Sequence, residues 1–461
     1  MNPEVPADGG LRTGHCIAEP HQTRSGEACD TRIDIYCRVI DHLGDIAASL
    51  RLAKDLARSG YFLRLYCDRL DLARALAGEP DEGADRAPAL VESKGAPCSE
   101  TPDGSSGRKA VELCAWPEDL ALHEPSLPSV SMLISAFGCE LPQGLRSALV
   151  RPGPKPCGTG SPFPPAPLWV HLDYLSAECW VKDFNGRVSI KPDGVQQVFA
   201  FPGFDAQSAG LPGRPPPRKA KARTLAVAAA DLASTVPQGL ESGRTQRIAI
   251  LAYAYAHAML GPWAVSIAQA LCTPAPGLES QVFTELSLTI PTVHASQWPT
   301  LEAELAASGV RLSLLQPCSQ VDWDRTLAAS DLLLVRGEDS WVGAMRSGIP
   351  WLWQPYPQEA PTVRKKLDAL LDRMDACLAD LPGWHHWRSA LAAWGLSEGP
   401  PQADLEALMH RWPQSDWQVL AQRWADHCNA VRPLAETLSQ WLDSWQVSLS
   451  QPSGPLRVRA L

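Results

Sequence analysis

Five consecutive residues combine a cation, two carboxylates and a hydroxyl: Arg336, Gly337, Glu338, Asp339 and Ser340. An apolar run precedes them, and a short helical segment closed by Gly348 follows. In open α/β sheets, ligands bind at the loops that leave the carboxyl ends of parallel strands. The helix N terminus and the fork of Arg336 favour an anion such as phosphate. Because Glu338 would repel a phosphate, it indicates a cationic or hydroxyl-rich part of a ligand.

Two more carboxylates, Asp41 and Asp45, lie in a loop near the start of the chain. A strand is predicted over 33–40, a helix over 46–59 and a strand over 61–67, since residues at helical spacing separate two β-branched and aromatic runs. Gly44 allows the loop to turn or to approach a ligand closely. This β-loop-α-β unit is typical of a doubly wound sheet. Neither a G-x-G-x-x-G fingerprint nor a P-loop occurs, so ordinary dinucleotide binding is poorly supported.

Length and composition exclude several classes of protein. A chain of 461 residues is too long for one ordinary core, so at least two domains are expected. A net charge of −10 argues against general binding to nucleic acid or to anionic membranes. Thirteen cysteines without C-x-x-C pairs predict reduced thiols and a cytoplasmic protein. No apolar stretch approaches the roughly 18 residues needed to span a membrane.

Proline, glycine and periodic segments predict the domain organisation. Strand candidates resume after residue 246 and alternate with helical stretches, which indicates a second α/β sheet. Carboxylates at strand ends in both halves suggest a ligand in the cleft between two domains. The predicted divisions are a disordered extension (1–30), a Rossmann-like domain (31–205, with a loop insertion at about 78–110), a linker (206–245), a second Rossmann-like domain (246–375) and a tryptophan-rich helical tail (376–461).

Several other patterns have an ordinary structural explanation. Asp322-Trp323-Asp324 matches the D-x-D metal–nucleotide pattern, but composition alone predicts about one such triplet in a chain of this kind. The pair His385-His386 lacks companions at metal-ligand spacing, so no metal site is predicted. The basic run 218–223 is typical of a solvated linker. Asp339 and Ser340 could simply cap their helix, and tryptophans at helical spacing usually pack helices.

Six blocks of the chain resemble the protein-arginine rhamnosyltransferases that modify bacterial translation elongation factor P. The similarity runs from about residue 31 to the end, and the blocks are 33–57, 134–142, 168–181, 199–211, 330–358 and 365–372. The resemblance implies a GT-B fold, which is an α/β architecture of two Rossmann-like domains facing across a cleft, with a helical C-terminal tail. It also implies an inverting, metal-independent transfer of L-rhamnose from dTDP-β-L-rhamnose to an arginine of elongation factor P, without a cofactor.

The same resemblance implies roles for individual residues. Asp45 matches the proposed general base, Asp41 its companion acid and Glu338 the catalytic glutamate. Leu251 stands where the family carries an aromatic residue expected to stack on thymine. The residues expected to bind substrate are His42, Leu43, Gly44, Phe201, Leu251, Tyr253, Arg336, Gly337, Asp339, Ser340 and Gln354.

Two alternatives stay open at this point. The chain could be a GT-B transferase that uses another nucleotide sugar or another acceptor. It could also be a non-catalytic, nucleotide-binding partner protein built on the same fold. The joint presence of Asp41, Asp45 and Glu338 favours an enzyme over the second alternative.

Overall fold

We analysed a computed structural model of the chain, which describes residues 31–40, 43–78, 89–92, 110–117, 130–149, 167–215, 246–272, 283–410, 412 and 414–450. The predicted disordered extension, the basic run 218–223 and the site candidates Asp41 and His42 lie outside these ranges.

Eight strands form the sheet of the first domain: β1 (Arg32–Cys37), β2 (Phe62–Cys67), β3 (Ala89–Glu92), β4 (Ala110–Ala115), β5 (Val130–Ala136), β6 (Leu168–Leu172), β7 (Val188–Ile190) and β8 (Gln196–Ala200). Their order is β3-β4-β2-β1-β5-β6-β8-β7. Every neighbouring pair is parallel except β7 and β8 at the edge. Within the part of the chain that the structure describes, four helices accompany the sheet: α1 (Gly44–Arg58), α2 (Leu70–Ala77), α3 (Gln143–Leu149) and α4 (Val181–Phe184).

Helix α1 presents one apolar stripe to this sheet. Ile46, Leu50, Ala53 and Leu56 recur at helical spacing and are fully buried. Full burial of a leucine or isoleucine side chain contributes about 1.5–3 kcal/mol, so packing rather than helix propensity holds α1 in place. The helix begins at Gly44, directly after the segment that carries the predicted acids.

Five parallel strands form the second sheet: β9 (Gln246–Ala252), β10 (Phe283–Pro291), β11 (Val310–Leu315), β12 (Leu332–Arg336) and β13 (Trp351–Gln354). The order β11-β10-β9-β12-β13 is that of a doubly wound sheet. Its helices are α5 (Leu260–Cys272), α6 (Leu301–Ala307), α7 (Gln320–Ala329) and α8 (Asp339–Ser347), with a 3-10 turn at Thr292–Gln297. Two Rossmann-like domains in an α/β architecture are therefore confirmed.

In both sheets the order reverses beside the first strand of the domain, next to β5 in the first domain and next to β12 in the second. A crevice opens at such a switch point, outside the carboxyl ends of the strands, and ligands of this fold class bind there. The segment before α1 follows β1, and Gly337 and Glu338 follow β12. Both predicted acidic loops thus lie at the switch points of their sheets.

The C-terminal helices divide between the two cores. They are α9 (Ala360–Leu378), α10 (Trp384–Gly395), α11 (Gln402–Met409), α12 (Asp416–Ala430) and α13 (Leu434–Ser450). Helices α9 to α12 pack in the core of the second domain, whereas Leu438 and Leu442 of α13 are buried in the core of the first. The tryptophans of the tail are at most 9% exposed, so the prediction that they pack helices is confirmed.

The chain returns to the first domain through a close crossing. The Leu211 amide donates to the carbonyl of Arg432 (3.0 Å), and the Leu434 amide donates to the carbonyl of Leu211 (2.9 Å). Gly210 has φ +88°, and a β-carbon there would lie 2.2 Å from the Arg432 carbonyl oxygen, so only glycine fits. Residues 208–213, at the start of the predicted linker, are therefore buried structure.

The predicted loop insertion at 78–110 contains a strand. Residues Ala89–Glu92 form β3, which pairs in parallel with β4 and extends the edge of the sheet. The sequence of β3 is only four residues long and is surrounded by proline, glycine and charged residues. Such a short run gives too few residues for a period-2 pattern to stand out, so the prediction of a loop was wrong there.

Candidate active site

One cavity of about 410 Å³ lies between the two domains at the carboxyl ends of their strands. Asp45 and Gly44 reach it from the first domain, and Glu338 and Gly337 reach it from the second. The two acids therefore share one cavity rather than pointing into separate ones. A more open depression of about 800 Å³ lies elsewhere, between α9 and α12, and none of the predicted site residues lines it.

Asp45 is held rigidly at the first turn of α1. Its side chain is 2% exposed. One carboxylate oxygen accepts a hydrogen bond from the Ile40 amide (2.8 Å), and the other accepts one from the Tyr174 hydroxyl (3.1 Å). An acid at a helix N terminus is also stabilised by the helix dipole. Asp45 is thus fixed in position with one edge toward the cavity.

Glu338 is a half-buried acid that resists ionisation. Burial raises the pKa of its carboxyl from 4.5 to about 8, and the negative charges of Asp45 and Asp173 add to this rise. One opposing contribution comes from the Leu175 amide, which donates to Glu338 across the domain boundary (2.9 Å). A carboxyl with a strongly raised pKa in a cleft is typical of functional sites. The arrival of a cation would favour its ionised form.

Arg336 directly precedes the cavity residue Gly337 but does not line the cavity; it is buried within a cage of aromatic rings. Its guanidinium carbon is 4.2 Å from the ring centre of Tyr253 and 4.4 Å from that of Tyr255. It donates to the Tyr253 hydroxyl (3.0 Å) and lies 3.5 Å from the ring nitrogen of His294. Sandwiching between rings fixes the plane of the guanidinium and keeps its charge at the carboxyl end of β12.

Asp339 pairs with the opposite domain rather than facing the cavity. Both of its oxygens accept hydrogen bonds from Arg51 of α1 (2.7 and 3.0 Å). Arg51 also binds Asp324 through a second pair of bonds (2.8 and 3.1 Å). One guanidinium thus connects α1 to α7 and α8. Asp324 belongs to the D-x-D triplet, and Asp322 of the same triplet bonds Ser319 and Arg325.

Four other predicted substrate-binding residues are engaged within the protein. Leu251 is fully buried in the core of the second domain, so a ligand cannot reach it in this structure. Gln354 is 1% exposed and bonds the Tyr255 amide and Ser397. Phe201 packs edge-on against Trp180 at 5.0 Å. Ser340 donates to the carbonyl of Arg336 (2.6 Å). None of these four residues lines the cavity between the domains, whereas the predicted residues Gly44 and Gly337 do.

Leu43 and Gly337 act through the backbone. The Leu43 carbonyl accepts from the Ala47 amide and closes the first turn of α1. Gly337 has φ +60°, which permits the sharp turn from β12 into α8. Its amide donates to the Gln354 carbonyl (3.1 Å), and its carbonyl accepts from the Trp353 indole (2.7 Å). These bonds set the direction in which Glu338 leaves the strand.

Several residues of the cavity were not singled out from the sequence. They follow the carboxyl ends of β5, β6 and β13. The loops that leave the carboxyl ends of parallel strands lie at one edge of a sheet. The apolar runs at 130–136 and 168–172, which were not interpreted as strands from the sequence, are the signal that indicates them. They are Phe137, Asp173, Tyr174, Ser176, Glu178, Trp180, Tyr356, Gln358 and Lys366.

Among the described residues, no group of three or more His, Cys, Asp or Glu side chains is arranged to hold a metal ion. In the same residues, every helix is too short or too polar to cross a membrane. None of the nine cysteines that the structure describes forms a disulfide bond.

A sequence profile for the elongation-factor P (EF-P) rhamnosyltransferase EarP matches residues 33–443. The chain belongs to this family. A protein-arginine rhamnosyltransferase of Pseudomonas aeruginosa is 31% identical over 421 residues, which cover 89% of this chain and 99% of the relative. A protein-arginine rhamnosyltransferase of Pseudomonas putida is 32% identical over 422 residues, which cover 88% of this chain and 97% of the relative. Membership makes the chain a glycosyltransferase, and the two facing Rossmann-like domains are those of the GT-B fold.

A solved structure described as "Structural basis for EarP-mediated arginine glycosylation of translation elongation factor EF-P" covers 89% of this chain and 98% of its own, with 20% identity and a TM-score of 0.46. The profile begins at Ile33 in β1 and ends at residue 443 in α13, so the family match includes both domains and the returning helix.

Proposed function

We propose that the chain transfers L-rhamnose from dTDP-β-L-rhamnose to an arginine side chain of translation elongation factor P, with inversion and without a metal. The family and its curated relatives support rhamnosyl transfer to a protein arginine. The observation that carries the proposal is the meeting of Asp45 and Glu338, from opposite domains, in one cavity.

The proposed acceptor, an arginine side chain, is a weak nucleophile. An arginine side chain stays protonated above pH 12, and its nitrogen lone pairs are delocalised. A fixed carboxylate that bonds the guanidinium localises its charge and can take a proton as the new bond forms. Asp45 suits this role because the Ile40 amide and the Tyr174 hydroxyl hold it in place. The acceptor cation would in turn favour the ionised form of Glu338, which then orients the guanidinium.

In the proposed step, a guanidinium nitrogen attacks the anomeric carbon from the face opposite the diphosphate. The carbon–oxygen bond to the diphosphate breaks, dTDP departs with the electron pair, and the nitrogen loses its proton to Asp45. The charge of Arg336 and the amides at the start of α8 would stabilise the departing diphosphate. These groups supply the charge that a metal provides in D-x-D enzymes, whose matching triplet here bonds other side chains.

The transfer assay combines the chain, dTDP-β-L-rhamnose and elongation factor P, and detects a deoxyhexose increment by intact mass. Asp45→Asn and Glu338→Gln are each expected to lower turnover at least a hundredfold while the circular dichroism spectrum stays unchanged. Asp71→Asn, which alters an exposed acid of the first domain, serves as the matched control. Near-normal turnover in both site variants would refute the proposed roles.

Three further measurements test the finer parts of the proposal. An anomeric coupling constant that shows retention would refute inversion. Loss of turnover with a chelator would refute metal independence. A thermal shift that is larger with a UDP-sugar than with dTDP-rhamnose would favour another donor. Clear nucleotide binding without any transfer of sugar would favour a non-catalytic role.

A further inference from the structure

Lys366 is the only positively charged side chain among the described residues that line the cavity between the domains. It stands in the second turn of α9, the helix that follows β13. The acids of the cavity are Asp45, Asp173, Glu178 and Glu338, which lie in the segments after β1, β6 and β12. The cavity therefore receives its negative side chains from three segments and this positive one from a fourth.

The acids of the cavity leave Lys366 unpaired. Glu178 pairs instead with the preceding residue, Lys365 (3.1 Å), and Glu338 accepts a hydrogen bond from the Leu175 amide (2.9 Å). Within the described ranges, no hydrogen bond or ion pair involves Lys366, whose side chain is partly buried. An ammonium group has three donors and no acceptor, so those of Lys366 are available to an anion in the cavity.

The position of Lys366 on α9 places it beside the loop after β13. Helical side chains lean toward the N terminus of their helix, and the turn before Lys366 leads back to Pro355, Tyr356 and Gln358, which also line the cavity. Since β13 neighbours β12, this loop leaves the same edge of the sheet as Gly337. Lys366 and the segment that enters α8 therefore reach the cavity from one domain, the domain against which the proposed step places the diphosphate.

A nucleotide sugar needs a cation inside this cavity. Its diphosphate is repelled by the carboxylates that line the same space. Arg336 attracts it only from outside the cavity, where the rings of Tyr253 and Tyr255 hold the guanidinium. A charge-assisted hydrogen bond to a phosphate oxygen is roughly twice as strong as a neutral one. Among the described side chains of the cavity, Lys366 is the one that can donate such a bond with a positive charge.

We infer that Lys366 binds the diphosphate of the nucleotide sugar. This inference rests on the proposed function and adds to it a side chain inside the cavity that holds the leaving group. The contact begins in the complex with the donor and strengthens as negative charge collects on the departing phosphate oxygen. Lys366 neither gives nor takes a proton, so the bonds that form and break are those of the proposed step.

Equilibrium binding of dTDP tests this contact without any transfer of sugar. Lys366→Gln removes the charge and is expected to weaken dTDP binding roughly ten- to hundredfold, the range for the loss of a hydrogen bond to a charged group. Lys366→Arg keeps a cation at this position and should bind dTDP within about threefold of the wild type. Titration calorimetry at low salt gives the three dissociation constants.

Salt separates a charge contact from a change in packing. In about 0.5 M NaCl the difference between the wild type and Lys366→Gln should shrink to about threefold or less, because mobile ions screen the attraction. Arg364→Gln alters an exposed cation of the same helix that does not line the cavity, so this matched control should bind dTDP like the wild type at both salt concentrations. A loss of binding that is independent of salt, and that Lys366→Arg does not restore, would overturn the inference.

The transfer assay shows whether Lys366 acts on the donor or on the acceptor. In Lys366→Gln, kcat/KM for dTDP-rhamnose should fall at least as much as the dTDP affinity, whereas the KM for elongation factor P should stay within about twofold. Unchanged dTDP affinity, or an effect confined to the KM for elongation factor P, would overturn the inference. If the wild type transfers no rhamnose but binds dTDP through Lys366, the proposed function fails and the anion contact stands.

Discussion

At the scale of single residues, the raised pKa of Glu338 makes the stability of the fold depend on pH. Its pKa of about 8 lies above the value of 4.5 that the unfolded chain would show. Between these two values the folded protein keeps a proton that the unfolded chain releases. The contribution of Glu338 to stability is therefore full below pH 4.5 and is lost as the pH rises to about 8.

Glu338→Gln should accordingly stabilise the protein at alkaline pH. The amide keeps the shape of the side chain but has no charge to bury, so its advantage over the wild type should grow from pH 5 to pH 8.5. Melting temperatures of the two proteins at several pH values provide the measurement. Glu302→Gln, an exposed acid on α6, is the control and should show no such trend. An equal difference at pH 5 and pH 8.5 would contradict the assigned direction of the pKa shift.

At the scale of elements, α1 links the two halves of the active site. Asp45 stands in its first turn, and Arg51, nearly two turns later, reaches Asp339 and Asp324 of the second domain. Lys54 of the same helix donates to Gln320, and Gln320 in turn donates to the Ala47 carbonyl. A movement of α1 would therefore shift Asp45 and disturb the start of α8 together.

Arg51→Met should destabilise the fold by about 3 kcal/mol, because it leaves two largely buried carboxylates without their shared cation. Urea unfolding measures the change, and a double-mutant cycle with Asp339→Asn isolates the coupling across the domain boundary. Arg69→Met breaks an exposed arginine–aspartate pair and should leave the unfolding midpoint unchanged. Equal effects of the two arginine substitutions would show that the interdomain pair contributes little.

Local patterns determined which elements were predicted well. The strand predicted over 61–67 is observed at Phe62–Cys67, because a short run of β-branched and aromatic residues bounded by turn residues defines a buried strand. The helix at Ile46 begins two residues earlier than predicted, since periodicity does not define the cap. GT-B architecture followed from the resemblance and was confirmed.

Long-range contacts explain what the sequence did not reveal. Arg51 and Asp339 are 288 positions apart, so no local sequence pattern predicts that they form an ion pair. Leu251 was expected to contact the ligand only from the family resemblance, and its burial in the core of the second domain depends on packing that the sequence does not show. The positive φ of Phe137 depends on the packing around it rather than on its residue type. Asp45 and Glu338 line one cavity because each lies in the segment after a strand at the switch point of its own sheet.

At the scale of the whole molecule, α13 makes the last part of the chain a structural component of the first domain. Leu438 is fully buried among residues of that domain's core. Leu438→Ala should lower the free energy of unfolding by about 2–5 kcal/mol, because it removes buried side-chain atoms from that core. Hydrogen exchange should show faster opening of β1 and β5, while β9 and β12 stay protected. Val447→Ala, at an exposed position of the same helix, is the control. Uniform loss of protection in both sheets would indicate that the domains unfold as one unit.

The crossing of Leu211 and Pro433 makes the second domain an insertion within the first. Residues 246–430 can be excised as one uninterrupted gene fragment. The remaining halves meet backbone to backbone at the crossing, so a short splice between them would restore a continuous first domain without the second.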